Sequence, residues 1–306
     1  MSRDLRFIPA NSLVEVTCRT VQGRFLLRPH RDLNAIIIGV LAKAQQRYGM
    51  AVCAFVYLSN HCHLLLQPEN AWQLARFMNF VNANIAKEAG RLYGWREKFW
   101  GRRYRAIVVS DEPEVELKRL TYLLSQGCKE GLVDSPRRWP GATSAKVHGK
   151  RWVMRGVWFD RTAEFRARKR GEVVPKMRFA EELELVLTPI PSWQGMPEHE
   201  VNSRLRRLLR MIEQETEQQL DGDTPMGGQA ILEQAPHAHP SHLARSPAPR
   251  FHAQRGYVRR RLEHAYLRFY YGYREAARLM KEGKQALFPP GAFLPSSGYV
   301  PGELPV

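Results

Sequence analysis

The sequence MAVCAFVYLSNHCHLLL, residues 50–66, contains two apolar segments separated by the polar pair Ser59-Asn60. Val, Phe, Tyr and Leu dominate both segments, and a short polar break between such segments is typical of a tight turn. The stretch therefore predicts two adjacent strands. The second strand carries His61 and His63, and because side chains alternate between the faces of a strand, both imidazoles are predicted to share one face.

Outward from this stretch, strand-like and helix-like segments alternate over the first 145 residues. Apolar periodicity predicts the helices, two of which end at a glycine typical of a C-cap, while the third has a proline in its first turn and Asp111 as its predicted N-cap. The predicted helices are 31–48, 72–93 and 111–129, and the further predicted strands are 13–20 and 104–109. This order predicts an α+β fold with one antiparallel sheet backed by helices.

Beyond residue 145 the periodicity weakens, and the remainder is predicted to be a mainly helical basic extension. A strongly charged helix is predicted over 204–219 and a helix pair over 259–282. A stretch rich in Pro, Gly and His resembles a linker or an extended arm. The predicted divisions of the chain are residues 1–145, 146–220, 221–252 and 253–306.

The chain of 306 residues carries a formal net charge of +17. An excess of this size indicates a polyanionic partner, either nucleic acid or an acidic membrane surface. No run of about 18 apolar residues is present, so no membrane span is predicted. The first residues lack an apolar signal core, which predicts a cytoplasmic protein. The four cysteines form no CxxC pair and are predicted to be reduced thiols.

Two imidazoles two residues apart on a strand can bind one divalent cation, each through a ring nitrogen. Two ordinary strand histidines are the alternative. On the 111–129 helix, Tyr122 lies nearly opposite the apolar stripe that is predicted to face the core, with Gln126 one turn later. Lys118 and Arg119 flank the tyrosine. A tyrosine beside an amide and two cations is suited to attack on a phosphate, and a surface tyrosine that covers apolar side chains is the alternative.

Taken in order, these motifs resemble the HUH single-tyrosine transposases, and within them the REP-associated tyrosine transposases. The resemblance covers about residues 10–145. It differs from the usual pattern at Gln126-Gly127-Cys128, where the family shows Asn-Pro-Val, and at Cys62, where it shows valine, which indicates a distinct subfamily. The matching segments are AFVYLSNHCHLLLQP (54–68), FWGRRYRAIVVSD (99–111), LTYLLSQGCKEGLV (120–133) and RRWPGATS (137–144).

The resemblance implies a ferredoxin-like HUH catalytic domain over residues 1–145 with Tyr122 as nucleophile. It implies that His61 and His63 hold Mg²⁺ or Mn²⁺, with Gln126 as the third ligand. Single-stranded DNA beside a hairpin would be cleaved through a 5′-phosphotyrosine, and a later 3′-OH would reverse the step and join strands. Lys118 and Arg119 would lower the pKa of the phenol or hold the phosphate.

Basic and aromatic residues alternate from Trp95 to Arg105, as in grooves that bind single strands by gripping phosphates and stacking bases. The alternative is that the aromatic residues cap the core. The run RLRRLLR from Arg204 is either a DNA-contacting helix or a solvated face. His237, His239 and His242 permit a second metal site, although a disordered arm is favoured there. The predicted DNA-binding residues are Lys118, Arg119, Arg102, Arg103, Arg105, Trp100 and Tyr104.

Two other functional classes fit parts of the pattern. A non-catalytic DNA-binding regulator with the same fold would have the same charge, but it would have no need of a nucleophile beside two histidines. An RNA-binding ferredoxin-like protein would show paired aromatics on central strands, and the RNP pattern is absent from the sequence. The sequence therefore favours the transposase, with single-stranded or hairpin DNA as its partner, and it is compatible with a monomer or a homodimer.

Overall fold

The computed structural model of this chain describes residues 5–147, 152–241 and 249–293. Strands and helices alternate through the first half, and helices dominate the second. The elements are β1 (Val14–Arg19), α1 (Arg31–Tyr48), β2 (Ala51–Tyr57), β3 (His61–Gln67), α2 (Ala71–Tyr93), β4 (Arg105–Val109), α3 (Pro113–Leu124), α4 (Gln126–Lys129), β5 (Val153–Phe159), α5 (Arg161–Lys169), β6 (Ala180–Val186), α6 (Glu198–Leu220), α7 (Gly228–Glu233), β7 (Phe251–His252) and α8 (Gly256–Lys281).

A five-stranded sheet in the order β2-β3-β1-β4-β7 forms the centre of the fold. Every pairing is antiparallel except the last, in which β7 runs parallel to β4. The predicted strand pair is confirmed: β2 and β3 are joined through Leu58, Ser59 and Asn60, with Leu58 N–H donating to the His61 carbonyl over 2.8 Å. The predicted α+β architecture of a sheet backed by helices is therefore confirmed.

The ends of α1 and α2 follow from local sequence. Both helices stop at a glycine in the left-handed region, Gly49 with φ 65° and Gly94 with φ 67°, a conformation that glycine adopts without steric cost. Asn70 begins α2, and its side-chain oxygen accepts a hydrogen bond from the Gln73 N–H. Both predicted helices are confirmed, with bounds that differ by at most one residue.

Helices cover both faces of the central sheet. On one face, α1 and α2 pack on even-numbered positions of β1 and β3 such as Val16 and Leu64. On the other face, α3 and α6 pack on odd-numbered positions such as Leu13 and Leu65. The face of β3 that carries the histidines is therefore also part of a core, because α3 and α6 contribute to a second apolar layer with Leu65.

The predicted 111–129 helix is divided. It starts at Pro113, where Glu112 instead of Asp111 is the N-cap residue, and it is interrupted at Ser125 before α4. The Glu112 carboxylate accepts hydrogen bonds from Ser110 Oγ and from the backbone N–H groups of Gln254 and Arg255. Hydrogen bonds between Glu112 and residues this far along the chain leave no local pattern in the sequence, whereas Asp111 has the side chain that is typical of an N-cap.

A two-stranded antiparallel ribbon, β5-β6, packs on the outer side of α1 and was not predicted. The two elements approach backbone to backbone at Gly39, where an added Cβ would lie 2.3 Å from the Val157 carbonyl carbon. A side chain at Gly39 would therefore force the ribbon away from the helix.

The described C-terminal segments also pack on the core. α6 buries Leu205, Leu208 and Leu209 while the arginines between them face solvent. The predicted helix pair over 259–282 is wrong, because a single helix, α8, spans that region. The disordered arm expected around His237 is wrong up to residue 241, since the Phe25 N–H donates to the Ala238 carbonyl over 2.8 Å.

Two general properties follow from the described ranges. None of their helices combines the length and the apolar character needed to cross a bilayer. All four cysteines are buried free thiols, and burial raises the pKa of Cys18 and of Cys53 to about 12.

Candidate active site

The register of β3 against β1 sets the position of the two histidines. His61 lies opposite Arg19 and His63 lies opposite Thr17, so all four side chains belong to the face that α3 covers. The imidazole centroids are 5.2 Å apart, and the residues are only 8% and 6% exposed. The structure therefore brings the predicted pair together in a largely desolvated pocket between the sheet and the helices.

Hydrogen bonds orient both rings. His61 Nδ1 lies 2.6 Å from Asn60 Oδ1, and His63 Nδ1 lies 3.3 Å from Glu15 Oε1. An acceptor at Nδ1 favours the tautomer with the proton on that nitrogen, which leaves the Nε2 lone pair on each ring. Burial, together with the neighbouring His63 and Arg19, holds the pKa of His61 well below its ordinary value, so the ring is neutral near pH 7.

Tyr122 extends from α3 towards this pair. Its ring centroid lies 5.7 Å from that of His63 in an edge-on arrangement, and the residue is half-buried. Two cations flank the ring: the Arg119 guanidinium carbon is 4.1 Å from its centroid and Lys129 Nζ is 4.9 Å away. The tyrosine, the histidines and Arg119 therefore form one cluster, whereas Lys118 is exposed on the outer side of α3.

Glu15 of β1 connects the cluster and was missed by sequence analysis. Its carboxylate accepts from Arg119 through two contacts, 2.7 Å from Nε to Oε2 and 3.0 Å from the terminal nitrogen to Oε1. It also lies 3.0 Å from His252 Nε2. Burial alone would raise the pKa of Glu15, but the hydrogen bonds from His252 and His63 and the charge of Arg119 hold that pKa well below its ordinary value.

Gln126 is brought beside the pair by the break at Ser125. Its Nε2 donates to the Tyr122 carbonyl over 2.8 Å, and its side chain also hydrogen-bonds His61. Because the amide nitrogen is engaged with the carbonyl, the amide oxygen remains for His61 or for a cation. Gln126 is 4% exposed, so the predicted third residue lies in the same pocket as the two histidines.

The donor set fits a divalent cation of the Mn²⁺ or Mg²⁺ type. Two imidazole nitrogens and one amide oxygen can act as ligands of such a cation. Glu130 Oε1 lies 4.0 Å from His61 Nε2 and adds a nearby carboxylate. In the described ranges, no group of three or more His, Cys, Asp or Glu residues could hold a metal ion.

The predicted second metal site receives no support from the described histidines. His237 Nε2 lies 2.9 Å from the Tyr93 carbonyl, and its ring is 5.5 Å from that of Trp95. His239 Nδ1 lies 3.1 Å from the Pro240 carbonyl. His242 lies outside the described residues. His237 is therefore a packing residue against the end of α2.

The other predicted DNA-binding residues lie along a groove between α2 and residues 95–104. Arg102 and Arg103 are exposed there, and Arg105 follows at the exposed start of β4. Trp100 is half-buried, with its Nε1 donating to the Asn82 carbonyl over 2.9 Å. Tyr104 is 7% exposed, and the Arg6 guanidinium carbon lies 4.1 Å from its ring centroid.

The groove has a volume of about 1600 Å³ and is lined by seven basic side chains and one acidic side chain. Its α2 wall adds Trp72, which is 44% exposed. The opposite wall joins the sheet close to the histidines, because the Gly101 N–H donates to the Arg19 carbonyl and Arg19 pairs with His61. The basic residues are Arg76, Lys87, Arg91, Arg96, Lys98, Arg102 and Arg103.

Two residues of the site, Glu15 and His252, were not predicted from the sequence, for different reasons. Glu15 is an acid at an odd position of a predicted strand, and pairing that strand with β3 would have placed it on the histidine face. His252 belongs to a two-residue strand after a Pro-rich stretch, where no periodicity exists to detect. Its contact with Glu15 depends entirely on tertiary structure.

Residues 27–123 match the family model described as "Transposase IS200 like". The matched segment contains the two histidines and Tyr122 and ends before Gln126. No curated protein matches the chain.

Two solved structures are similar in part. A REP-associated tyrosine transposase bound to a REP hairpin has 16% identity and a TM-score of 0.40, covering 47% of this chain and 82% of that one. A putative transposase from Deinococcus radiodurans R1 has 14% identity and a TM-score of 0.27, covering 40% of this chain and 96% of that one. Similarities this low carry no argument about function, so the family model alone bears on it.

Proposed function

We propose that this protein is a transposase that cleaves and rejoins single-stranded DNA beside hairpins with Tyr122 as its nucleophile. The match of residues 27–123 to the IS200-like transposase model supports the transposase role. The observation that carries the proposal is the position of the Tyr122 ring, 5.7 Å from the His63 ring and flanked by Arg119 and Lys129. A non-catalytic DNA-binding protein would not require this arrangement.

In the proposed step, the Tyr122 oxygen attacks the scissile phosphorus and the bond to the 3′ oxygen breaks. The phenol proton is lost and the 3′ oxygen gains a proton, which leaves a 5′-phosphotyrosine and a free 3′-OH. The new ester retains the reactivity of the phosphodiester, so a 3′-OH can attack it in the reverse sense and join strands without an external nucleotide. Lys129, whose Nζ lies 4.9 Å from the centroid of the tyrosine ring, would contribute positive charge near the phosphate, whereas Lys118 lies outside this cluster.

We propose that His61, His63 and Gln126 hold Mg²⁺ or Mn²⁺. A bound divalent cation would polarise a phosphate oxygen and stabilise the negative charge that develops on the leaving oxygen. The protein's own contribution is to present two imidazoles in a largely buried pocket: Asn60 and Glu15 orient the rings, and burial lowers the pKa of His61 and so keeps that ring unprotonated.

We further propose that the groove along α2 receives the single strand that leads to Tyr122. Arg102, Arg103 and Arg105 would contact phosphates, and the exposed Trp72 offers a face for base stacking. Trp100 would contribute its half-buried edge, whereas Tyr104 is covered by Arg6 and would support the wall. The link between Gly101 and Arg19 gives the strand a short route from the groove to the histidines.

The proposal is tested by incubating the full chain with a labelled hairpin oligonucleotide that has single-stranded flanks, in the presence of Mn²⁺. We expect a labelled species that migrates with the protein on a denaturing gel and a released fragment with a free 3′-OH. A labelled protein band that lacks such a fragment would contradict the assigned polarity. Binding with neither product, across several hairpins and with either cation, would favour the non-catalytic regulator.

The metal proposal makes a specific prediction for His61. Changing it to Asn removes a ligand but keeps a polar group of smaller size in the pocket, so we expect Mn²⁺ affinity and cleavage to fall at least about 100-fold. Gln126→Ala should be milder, because water can occupy its coordination position. Mn²⁺ affinity is measured by electron paramagnetic resonance, with the exposed His199→Asn as the matched control. Undiminished cleavage by wild-type protein in EDTA would contradict the metal role.

The salt dependence of DNA binding tests whether the groove contacts the phosphates of the single strand. Each phosphate contact contributes about −0.7 to the slope of log affinity against log salt on single strands. We therefore expect Arg102→Gln combined with Arg103→Gln to reduce the magnitude of the slope by roughly 1.4. The double variant Arg206→Gln, Arg207→Gln on the exposed face of α6 is the matched control and should change the slope less. Equal slopes for the groove variant and wild type would exclude these two contacts.

A further inference from the structure

Glu15 contacts His252, which lies 237 residues later in the sequence. His252 Nε2 lies 3.0 Å from Glu15 Oε2, and the two side chains are only 13% and 3% exposed. Neither residue belongs to the family match over 27–123, and His252 belongs to the C-terminal part of the chain, for which the match gives no role. A residue of the C-terminal region therefore reaches the polar cluster around Tyr122.

Backbone contacts place His252 independently of its side chain. Val109 is its register partner in the parallel pairing of β7 with β4, and the Ser110 N–H donates to the His252 carbonyl over 2.9 Å. The next residues are held by Glu112, which accepts from the Gln254 and Arg255 N–H groups. Since β7 is fixed through its main chain, removal of the imidazole should leave the strand in place.

The Glu15 carboxylate connects His252 to Arg119 and His63, because it contacts all three side chains. Oε2 forms close ion-pair contacts with His252 Nε2 (3.0 Å) and Arg119 Nε (2.7 Å) that lack hydrogen-bond geometry, while Oε1 accepts from the other Arg119 nitrogen and lies 3.3 Å from His63 Nδ1. A buried carboxylate with polar partners at both oxygens has one favoured orientation, and loss of the His252 contact at Oε2 permits rotation about its side-chain bonds. That rotation would shift Arg119, whose guanidinium lies 4.1 Å from the Tyr122 ring centroid, and His63.

We propose that His252 is a positioning residue of the active site, which acts through Glu15 to fix Arg119 against Tyr122 and to orient the His63 ring. The inference rests on the proposed function for its kinetic consequences, although the orientation of His63 can be measured without activity. In this proposal the segment around β7 is part of the active centre.

The test compares His252→Ala with His252→Gln in the full chain. The alanine variant lacks the imidazole that contacts Glu15, so we expect kcat for adduct formation to fall about 10- to 100-fold with little change in KM, the range found when residues that orient metal ligands are removed. The glutamine amide can donate to Glu15 from a similar position, so its kcat should recover to within a few-fold of wild type. The exposed His264→Ala on α8 is the control for loss of a histidine.

A second measurement uses the ¹⁵N chemical shifts of the His63 ring, which report its tautomer and hydrogen bonding. We expect the His63 signals to shift or broaden in His252→Ala and to return in His252→Gln, with thermal midpoints close to wild type in both. Unchanged kcat and unchanged His63 signals in His252→Ala would overturn the proposal, as would a glutamine variant as impaired as the alanine variant. If wild type forms no adduct yet the His63 signals respond as expected, the proposed function fails and the positioning role stands.

Discussion

Replacing Tyr122 by phenylalanine is expected to abolish the covalent protein–DNA adduct, with a fall in rate of about 10⁴-fold or more, the scale seen when a nucleophile is removed. Only the attacking oxygen is lost. The ring that packs beside His63 and beneath Arg119 is retained, so we expect DNA affinity within about twofold of wild type and an unchanged thermal midpoint. A denaturing gel reports the adduct, and fluorescence anisotropy on the same oligonucleotide reports binding.

The matched controls are the two other tyrosines nearest to the motif, Tyr57 and Tyr104. Tyr57 is 1% exposed, and burial raises its pKa well above the ordinary value. Burial also raises the pKa of Tyr104, against the opposing effect of Arg6. Both phenols are thus poor nucleophiles that DNA does not reach, and Tyr104→Phe should retain adduct formation. An adduct that persists in Tyr122→Phe would show that another residue attacks the phosphate.

The parts of the fold that the sequence predicts correctly are those governed by local rules. Apolar periodicity locates α1 and α2, and the glycines that follow them end each helix in the left-handed conformation. The polar break at Ser59-Asn60 locates the turn between β2 and β3. These elements carry His61 and His63, so the strand-borne half of the candidate site could be derived before any tertiary contact was known.

The remainder of the site depends on contacts between residues far apart in sequence. The helical period places Tyr122 opposite the apolar stripe of its own helix, but it cannot show that α6 joins the apolar layer on the same side of the sheet. Glu15 reads as one polar residue in an alternating strand. Its role appears only when β1 pairs with β3 and β7 brings His252 to the same carboxylate.

Contacts between residues far apart in sequence also determine what the C-terminal region contributes. Positive charge in 204–210 and 255–261 suggested an arm that grips DNA, and charge is indeed exposed on α6. However, each arginine run alternates with apolar side chains that pack inward, and on α8 Tyr266 and Phe269 are both buried against the core. An amphipathic helix of this kind contributes first to the stability of the fold, whatever its outer face binds.

Removing everything beyond residue 147 is therefore expected to cost solubility and activity together. The truncation deletes α6, whose Leu205, Leu208, Leu209 and Ile212 are at most 7% exposed against the layer that covers the histidines. Burial of one such side chain stabilises a fold by roughly 1.5–3 kcal/mol. Four of them together represent about 6–12 kcal/mol, comparable to the roughly 5–15 kcal/mol of net stability typical of a whole domain. The shortened chain should lack a cooperative thermal transition.

A matched variant separates packing from DNA binding. Arg206, Arg207 and Arg210 lie on the exposed face of α6, and changing all three to Gln removes charge while the buried leucines stay in place. If α6 acts mainly through packing, this triple variant stays folded and cleaves a short oligonucleotide at the wild-type rate, while the truncated chain aggregates. If α6 is mainly a DNA-gripping arm, the truncated chain remains soluble and active on short oligonucleotides, and both proteins show a shallower salt slope. We expect the first result, because β7 is the edge strand of the sheet that carries the site and α6 belongs to the apolar layer over one of its faces. Loss of both would expose apolar surface to water.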